Sequence, residues 1–476
     1  METMDSSAIS EQSDTLFHRP SITMRLFSLL QKVVRIFFPS VIFAKFFASS
    51  IIPPLADNLI PLFFTGNIPN ESGLAIASQF TFISIILEVM QEGVGNSLFH
   101  FVGIHYESNR PLSLIAFKLS LVVLLAGGVV MTLLMLLFTP QFVNFIDTPD
   151  TIAEETRIFL YTSSFSFIPT ILNTAFANYL LISTSSWLVL SQLATVVLSF
   201  LNNFFLFGQH DWSLHWGIGE LGYYKVIQST LTMCVNFAFV LVVEKLSPIA
   251  FLVRVPFCRG LKTHCKAFFR ISWGNFSDSA VRNFFYFVVT LKFMNNLGEN
   301  ETGAWNLLNS IIWGIILIPG YVVANYAKVC IGHNNSRVRI KTVAHECCVC
   351  LFAWILVVSV ISGIFWSTFA GFFSKSNKEV QELSETMFHH VGWIFIIFVT
   401  NNAIDSFFYG TGKTEYVFYQ SAITNMVVYF PPWILYLLNI IKPTYWWVIG
   451  LYIAGMLVDF VLTSFFCLRV WRSMRE

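Results

Sequence analysis

Long apolar stretches recur along almost the whole chain, and short polar connections separate them. A segment needs about 20 predominantly apolar residues to cross the hydrocarbon core of a bilayer. Twelve stretches reach this length, and they are 33–64, 74–104, 114–138, 158–182, 187–207, 218–243, 268–293, 304–331, 347–370, 387–409, 418–440 and 446–468. This pattern predicts an all-α membrane protein with twelve transmembrane helices.

The polar residues between the sixth and seventh stretches divide the chain into two similar halves. We predict a disordered cytoplasmic tail at 1–32, an N-terminal six-helix bundle at 33–243, a cytoplasmic linker at 244–266 and a C-terminal six-helix bundle at 267–476. An internal repeat supports this division, because Asn96 and its neighbours recur around Asn325, and Pro39 lines up with Gly274. Repeats of six helices each have the same orientation, so the two bundles are expected to face one another.

Lys and Arg residues are concentrated in alternate connections. Except for 183–186, the even-numbered connections and both ends are basic, whereas the odd-numbered ones hold only Arg157, Lys375, Lys378 and Lys442. Because Lys and Arg accumulate on the cytoplasmic side, both termini are expected in the cytoplasm. The interpretation is a multi-pass protein of the cell membrane.

Composition narrows the class of function. The chain of 476 residues is 55% hydrophobic and only 12% charged, whereas charged residues make up about 25% of ordinary soluble domains. A net charge of +1 gives no reason to expect a nucleic-acid partner. The expected partners are the lipid bilayer and a small-molecule substrate, and the protein is expected to be a monomer.

Nothing in the sequence favours an enzyme. The connections are too short to carry a catalytic loop, and His389-His390 lacks further ligands at metal-binding spacing. The cysteines around Cys347 begin an apolar stretch, and free thiols explain them better than a metal site. We therefore expect no catalytic residue, no metal site and no cofactor other than a coupling ion, Na⁺ or H⁺.

Charged residues inside the apolar stretches are the candidates for function. Charges at that depth are costly and are usually functional. Asp278 and Arg282 are four residues apart, on one face of a helix. They form either a coupling site or a structural ion pair. The other candidates for cation or proton coupling are Glu88, Glu92, Asp405 and Asp57.

Each of these other acids has a simpler interpretation. Glu88 and Glu92 are one turn apart, and two unpaired carboxylates buried together favour proton binding, yet they could merely attract cations to a cavity. Asp57 follows Pro53-Pro54, where freed carbonyls could ligate an ion, or it could be a solvated cap. Asp405 shares a polar face with Asn401 and Asn402, which could line a cavity.

Several segments, taken in order, resemble the multidrug and toxic compound extrusion (MATE) family of transporters. They are 172–186, 200–208, Gly217-Ile-Gly-Glu-Leu-Gly and Phe407-Phe-Tyr-Gly-Thr-Gly-Lys-Thr. The resemblance runs from about residue 35 to the C-terminus. It implies two six-helix bundles and cation-driven export of organic cations or other amphipathic compounds.

The resemblance also bears on individual positions. Many relatives carry an acidic residue in the seventh helix four positions after a Pro, and here Gly274 and Asp278 occupy those two positions. Asn202 and Phe398 stand where other relatives have Asp, so an N-terminal proton relay of the usual composition is missing and weight shifts to Asp278. The residues expected to line the substrate cavity are Asn202, Trp273, Phe276, Trp393, Asn401 and Asn402.

The resulting prediction is a secondary active antiporter that uses H⁺ or Na⁺ to export amphipathic small molecules by alternating access. Two alternatives stay open at this point. A lipid-linked sugar flippase of the same superfamily would need a cavity lined by Arg and Lys, and a degenerate relative would lack active transport.

Overall fold

Helices make up nearly all of the part of the chain that this computed structural model describes. That part comprises residues 31, 33–54, 60–65, 73–145, 150–217, 219–254, 261–334, 336–374 and 378–473. Across those residues no β-strand occurs. The all-α prediction is therefore confirmed.

The first predicted half contains nine helices with described bounds. They are α1 (Val41–Pro54), α2 (Ile60–Thr65), α3 (Gly73–Phe101), α4 (Gly103–Tyr106), α5 (Arg110–Phe145), α6 (Asp150–Ser163), α7 (Phe167–Ile182), α8 (Trp187–Phe207) and α9 (Leu221–Glu244). A 3₁₀ turn, Ser164–Ser166, joins α6 to α7. A short helix in the linker, α10 (Pro248–Arg254), follows.

In the second half, several helices are interrupted. They are α11 (Leu261–Phe285), α12 (Lys292–Asn295), α13 (Glu299–Ile311), α14 (Ile318–His333), α15 (Arg337–Ser374), α16 (Lys378–Val391), α17 (Ile394–Thr411), α18 (Glu415–Thr424), α19 (Phe430–Leu437) and α20 (Tyr445–Ser473). Three π-helical segments, Tyr286–Leu291, Ile312–Ile316 and Asn425–Tyr429, join neighbouring helices there. Insertions of this type often occur at functional sites.

Six helical segments in the described ranges are long and apolar enough to cross a membrane. They are Arg110–Phe145, Ala153–Ile182, Trp187–Phe207, Leu221–Glu244, Arg337–Ser374 and Tyr445–Ser473. Two further pairs qualify if each bent pair is one span, with bends of 53° after Ile316 and 59° after Val391. The count of twelve crossings in two bundles therefore stays a prediction.

Helices from the two predicted halves lie directly against each other. Helix α3 packs along α11, and α14 packs against α1. The approach of α3 to α11 is close at Gly93, where an added Cβ would lie 3.0 Å from Cα of Phe276. Gly93 therefore allows the backbones to approach at the point where α3 and α11 present their charged residues.

Candidate functional site

A three-residue charge cluster joins α3 to α11. The Arg282 guanidinium pairs with the Glu92 carboxylate, and Nη1 of Arg282 lies 3.9 Å from Oδ2 of Asp278. The Ser279 hydroxyl donates a hydrogen bond of 2.7 Å to Glu92 Oε2. Glu92 comes from one predicted half, whereas Ser279, Asp278 and Arg282 come from the other. The cluster therefore crosses the interface between the halves.

The members of this cluster differ in exposure. The side chain of Asp278 is 4% exposed, whereas that of Arg282 is 44% exposed and that of Glu92 is 35% exposed. Arg282 is thus the more exposed partner of a buried carboxylate. Because a guanidinium stays protonated, Arg282 competes with any bound cation for the Asp278 carboxylate. The arrangement can couple ion binding at Asp278 to a movement of Arg282 toward Glu92.

The helical spacing explains why these side chains meet. Asp278 and Arg282 are one turn apart on α11, and Glu88 and Glu92 are one turn apart on α3, so each pair shares a helix face. The sequence interpretation of Glu88 and Glu92 as two unpaired carboxylates is wrong for Glu92, which pairs with Arg282. Local spacing does not encode the register between α3 and α11, so the sequence alone does not show that the two charge pairs meet.

A second acidic cluster lies between α17, α18 and α20. The Asn401 side-chain amide donates to Asp459 Oδ2 at 2.7 Å and to Asp405 Oδ2 at 3.5 Å. The Gln420 amide donates to Asp405 Oδ1 at 2.8 Å, and the Thr424 hydroxyl lies 3.4 Å from Asp459 Oδ1. The two carboxylates thus share one amide group.

Lys328 on α14 is a buried base close to the same interface. Its ammonium donates to Asn96 Oδ1 at 3.3 Å and lies 5.5 Å and 4.9 Å from the ring centroids of Phe99 and Tyr409. Asn96 and Phe99 belong to α3, whereas Tyr409 belongs to α17. No carboxylate of the described residues lies within ion-pair distance of this ammonium, so aromatic faces and one amide hold it.

Asp459 and Lys328 are functional candidates that the sequence prediction missed. Each stands alone among apolar neighbours, Asp459 between Val458 and Phe460, and Lys328 between Ala327 and Val329. The rule that an ionisable residue inside an apolar stretch marks a function would have found both.

Neutral polar side chains connect α7, α8 and α9 in the first half. Asn202 on α8 donates to Gln228 Oε1 on α9 at 3.1 Å, and the Gln228 amide lies 3.4 Å from the Thr232 hydroxyl. Asn236 donates to Asn173 at 2.7 Å. Asn202 is thus part of an amide network between α8 and α9, and its printed contacts do not reach the acidic clusters.

The other predicted cavity residues take different positions. Trp273 is 68% exposed on α11 and stacks with Phe276, which lies against Gly93. Trp393 lies at the bend between α16 and α17, where its indole N–H donates to the His390 carbonyl at 2.9 Å. Asn402 is partly buried next to Asn401. Asp57 lies outside the described residues.

At one end of the molecule the two halves touch through α3, α4, α14 and α17. Tyr106 stacks on His333 with ring planes at 1°, and His100 Nδ1 lies 3.0 Å from the Gly410 carbonyl oxygen. A Cβ on Gly103 would lie 3.4 Å from the Gly332 carbonyl carbon. The two halves therefore meet at this end, which is the cytoplasmic end in the predicted orientation.

A family model matches part of the second half of the chain. Residues 279–435 match the MatE family model. This segment begins directly after Asp278 and includes Arg282, Lys328 and Asp405. No curated protein sequence gives a significant match.

Solved structures share the fold over almost the full length. A MOP superfamily transporter from Pyrococcus furiosus, reported with a binding pocket of reverse polarity that suggests a different function, superposes with a TM-score of 0.73 at 13% identity, covering 91% of this chain and 96% of that one. The eukaryotic MATE transporter AtDTX14 superposes with a TM-score of 0.73 at 15% identity, covering 92% of this chain and 95% of that one. A mutant of the Vibrio cholerae MATE transporter VcmN gives 0.67 at 13% identity, covering 95% and 98%. At these identities the shared property is the fold.

Proposed function

We propose, on the premise that this protein is a membrane-embedded relative of the MATE transporters by family model and fold, that it is a secondary active antiporter. A cation gradient would drive export of an organic cation or another amphipathic small molecule. The observation that carries the proposal is the contact of Arg282 with Glu92 across the halves and with Asp278 inside the second half.

The charge balance around the interface supports a cationic ligand. The described acids there are Glu88, Glu92, Asp278, Asp405 and Asp459, against the bases Arg282 and Lys328. An excess of carboxylates attracts cations and repels anions. A lipid-linked sugar with a pyrophosphate would meet the opposite balance, which makes the flippase alternative the weaker proposal.

Coupling would operate through competition for Asp278. A cation or proton at Asp278 weakens the attraction that this carboxylate exerts on Arg282, and Arg282 then interacts mainly with Glu92. Because Glu92 belongs to the opposite half, the ion-bound state favours one arrangement of the halves and the ion-free state another. A ligand shifts such an equilibrium only through its different affinity for the two arrangements.

The contacts of Tyr106 with His333 and of His100 with Gly410 supply the element that must open. In the predicted orientation these contacts close the cytoplasmic side. Uptake of substrate from the cytoplasm then requires that they separate. The exposed Trp273 and its partner Phe276 offer aromatic faces for a planar or cationic substrate.

The test is transport by the purified protein in proteoliposomes loaded with a fluorescent cationic dye. Imposed Na⁺ and H⁺ gradients are compared with no gradient and with protein-free liposomes. We expect dye movement that requires the protein and one of the two gradients. Equal dye movement with and without every gradient would contradict active transport and leave a degenerate relative as the better description.

A further inference from the structure

The carboxylates of Asp405 and Asp459 accept hydrogen bonds at every oxygen. Asn401 donates to Oδ2 of both, Gln420 donates to Oδ1 of Asp405, and the Thr424 hydroxyl is 3.4 Å from Oδ1 of Asp459. Amide nitrogens can only donate, so these contacts favour the ionised form of both acids. When both are ionised, two negative charges lie around one amide, and a bound cation or a proton on one of the acids relieves their repulsion.

No base in the described part of the chain neutralises this pair at contact distance. Arg282 makes its ion pairs with Glu92 and Asp278, and Lys328 contacts Asn96 and two aromatic rings. Unpaired charges within a membrane protein are costly and are retained for use. No described side chain therefore supplies a positive charge at contact distance from either acid.

Two buried carbonyl oxygens beside the acids also lack partners. Oδ1 of Asn401 and Oε1 of Gln420 accept no hydrogen bond, although the residues are only 5% and 2% exposed. Buried polar atoms in native proteins are nearly always paired. Each oxygen belongs to an amide group whose nitrogen is bound to the acid pair, so it lies at the edge of the same cluster.

We propose that Asp405, Asp459, Asn401, Gln420 and Thr424 form a binding site for one Na⁺ ion. Carboxylate, amide carbonyl and hydroxyl oxygens are the ligands that hard cations prefer. A bound Na⁺ would balance the charge of the pair and supply a partner for the unpaired amide oxygens. A proton shared between the carboxylates would reduce the charge but leave both amide oxygens unpaired.

The position of the site supports a role in transport, and this part of the inference rests on the proposed function. Asp405 and Asp459 are only partly buried, which leaves an approach for the ion, and the π-helical segment Asn425–Tyr429 begins directly after Thr424. The Ser421 hydroxyl, next to Gln420, lies 3.4 Å from the backbone oxygen of Asp278. Ser421, the neighbour of the proposed ligand Gln420, thus connects the site to α11.

The experiment measures Na⁺ binding without transport. Purified protein in detergent is titrated with NaCl, with choline chloride holding the ionic strength constant, and thermal unfolding is followed by tryptophan fluorescence at two pH values. We expect Na⁺ to raise the Tm of the parent and of Asp278→Asn. In Asp459→Asn and Asp405→Asn we expect at least tenfold weaker apparent Na⁺ affinity, because the site loses half of its charge. Asp211→Asn, an exposed loop acid, is the matched control and should keep the parental response.

Two milder variants keep the test decisive if an Asp variant does not fold. Thr424→Val and Gln420→Leu each remove one oxygen, and both should weaken Na⁺ binding several-fold. Three results would overturn the site. The first is a parent whose Tm does not respond to Na⁺, and the second is a Tm that follows pH and not Na⁺. The third is an undiminished Na⁺ response in Asp459→Asn or, if that variant does not fold, in both milder variants. Because Asp278→Asn should still bind Na⁺, loss of its transport alone would leave this inference standing.

Discussion

Arg282 of α11 pairs with Glu92 of α3, and a single guanidinium thereby connects the two predicted halves of the molecule. The same guanidinium lies 3.9 Å from the buried carboxylate of Asp278. Because Arg282 contacts both Glu92 and Asp278, a change in the charge of Asp278 can change how strongly Arg282 holds Glu92. The predictions below test this relationship and the contacts around it.

The first prediction concerns the coupling of Glu92 and Arg282. Glu92→Gln and Arg282→Gln should each lower the free energy of unfolding. The loss in the double variant should be smaller than the sum of the two single losses. The pair is partly exposed, so we expect a coupling of about 1 kcal/mol, at the upper end for exposed ion pairs. Thermal unfolding of the four proteins measures it. Strictly additive losses would show that the two side chains do not interact.

The second prediction uses two glycines with opposite surroundings. A Cβ on Gly93 would lie 3.0 Å from the Phe276 backbone, whereas a Cβ on Gly363 of α15 meets nothing within 4 Å. Gly93→Ala should lower the Tm because α3 and α11 must move apart. Gly363→Ala should hold or raise it, since Ala is favoured over Gly in a helix by about 1 kcal/mol. Equal Tm changes in the two variants would argue against the close contact of α3 with α11.

The third prediction separates the role of Lys328 in transport from its effect on the stability of the protein. A buried ammonium held by one amide and two rings costs folding free energy, so Lys328→Met should be as stable as the parent or more stable. If the charge serves transport, dye flux should fall by at least about tenfold, an effect of about 1.4 kcal/mol. The matched control is Lys118→Met, a second buried lysine, on α5, beside the Phe251 ring.

For Lys328 the contradictory results are equally clear. A large loss of Tm in Lys328→Met would assign the ammonium a structural role. Flux at the parental rate, with the parental ion dependence, would remove Lys328 from the transport machinery. An equal loss of flux in Lys118→Met would show that any buried lysine is required.

The fourth prediction concerns topology. Ser108 lies in the connection between α4 and α5, and Asp211 lies in the connection between α8 and α9, and both are exposed. The distribution of Lys and Arg predicts Ser108 in the cytoplasm and Asp211 outside. A single Cys introduced at Asp211 should react with an impermeant maleimide on intact cells, and one at Ser108 only after permeabilisation. Reaction of the two positions from the same side would refute the predicted orientation.

The sequence predicted the helices and the shared helix face of Asp278 and Arg282 because both depend on local spacing. Apolar length identifies a span, and four residues place Asp278 and Arg282 on one face. The partners came from tertiary contacts, which local spacing does not encode: Glu92 is 190 positions from Arg282, and Asn401 is 58 from Asp459. The same limit explains why Glu92 was interpreted as unpaired.

Helix breaks were also hard to predict. The π-helical segment at Ile312–Ile316 and the bend after Val391 lie inside stretches that appear continuously apolar. Pro319 follows the first bend and Gly392 lies at the second, so each break has a local residue that permits it. Whether such a residue bends a helix depends on the neighbours that pack against it.

The most direct measurement is gradient-driven transport by Asp278→Asn in proteoliposomes, beside the parent and Asp211→Asn. Asn keeps the volume of Asp and removes its charge, so folding should be retained while coupling is lost. We predict Asp278→Asn flux at the level of protein-free liposomes under both Na⁺ and H⁺ gradients, with Asp211→Asn equal to the parent. Flux by Asp278→Asn at the parental rate and with the parental ion dependence would contradict the account.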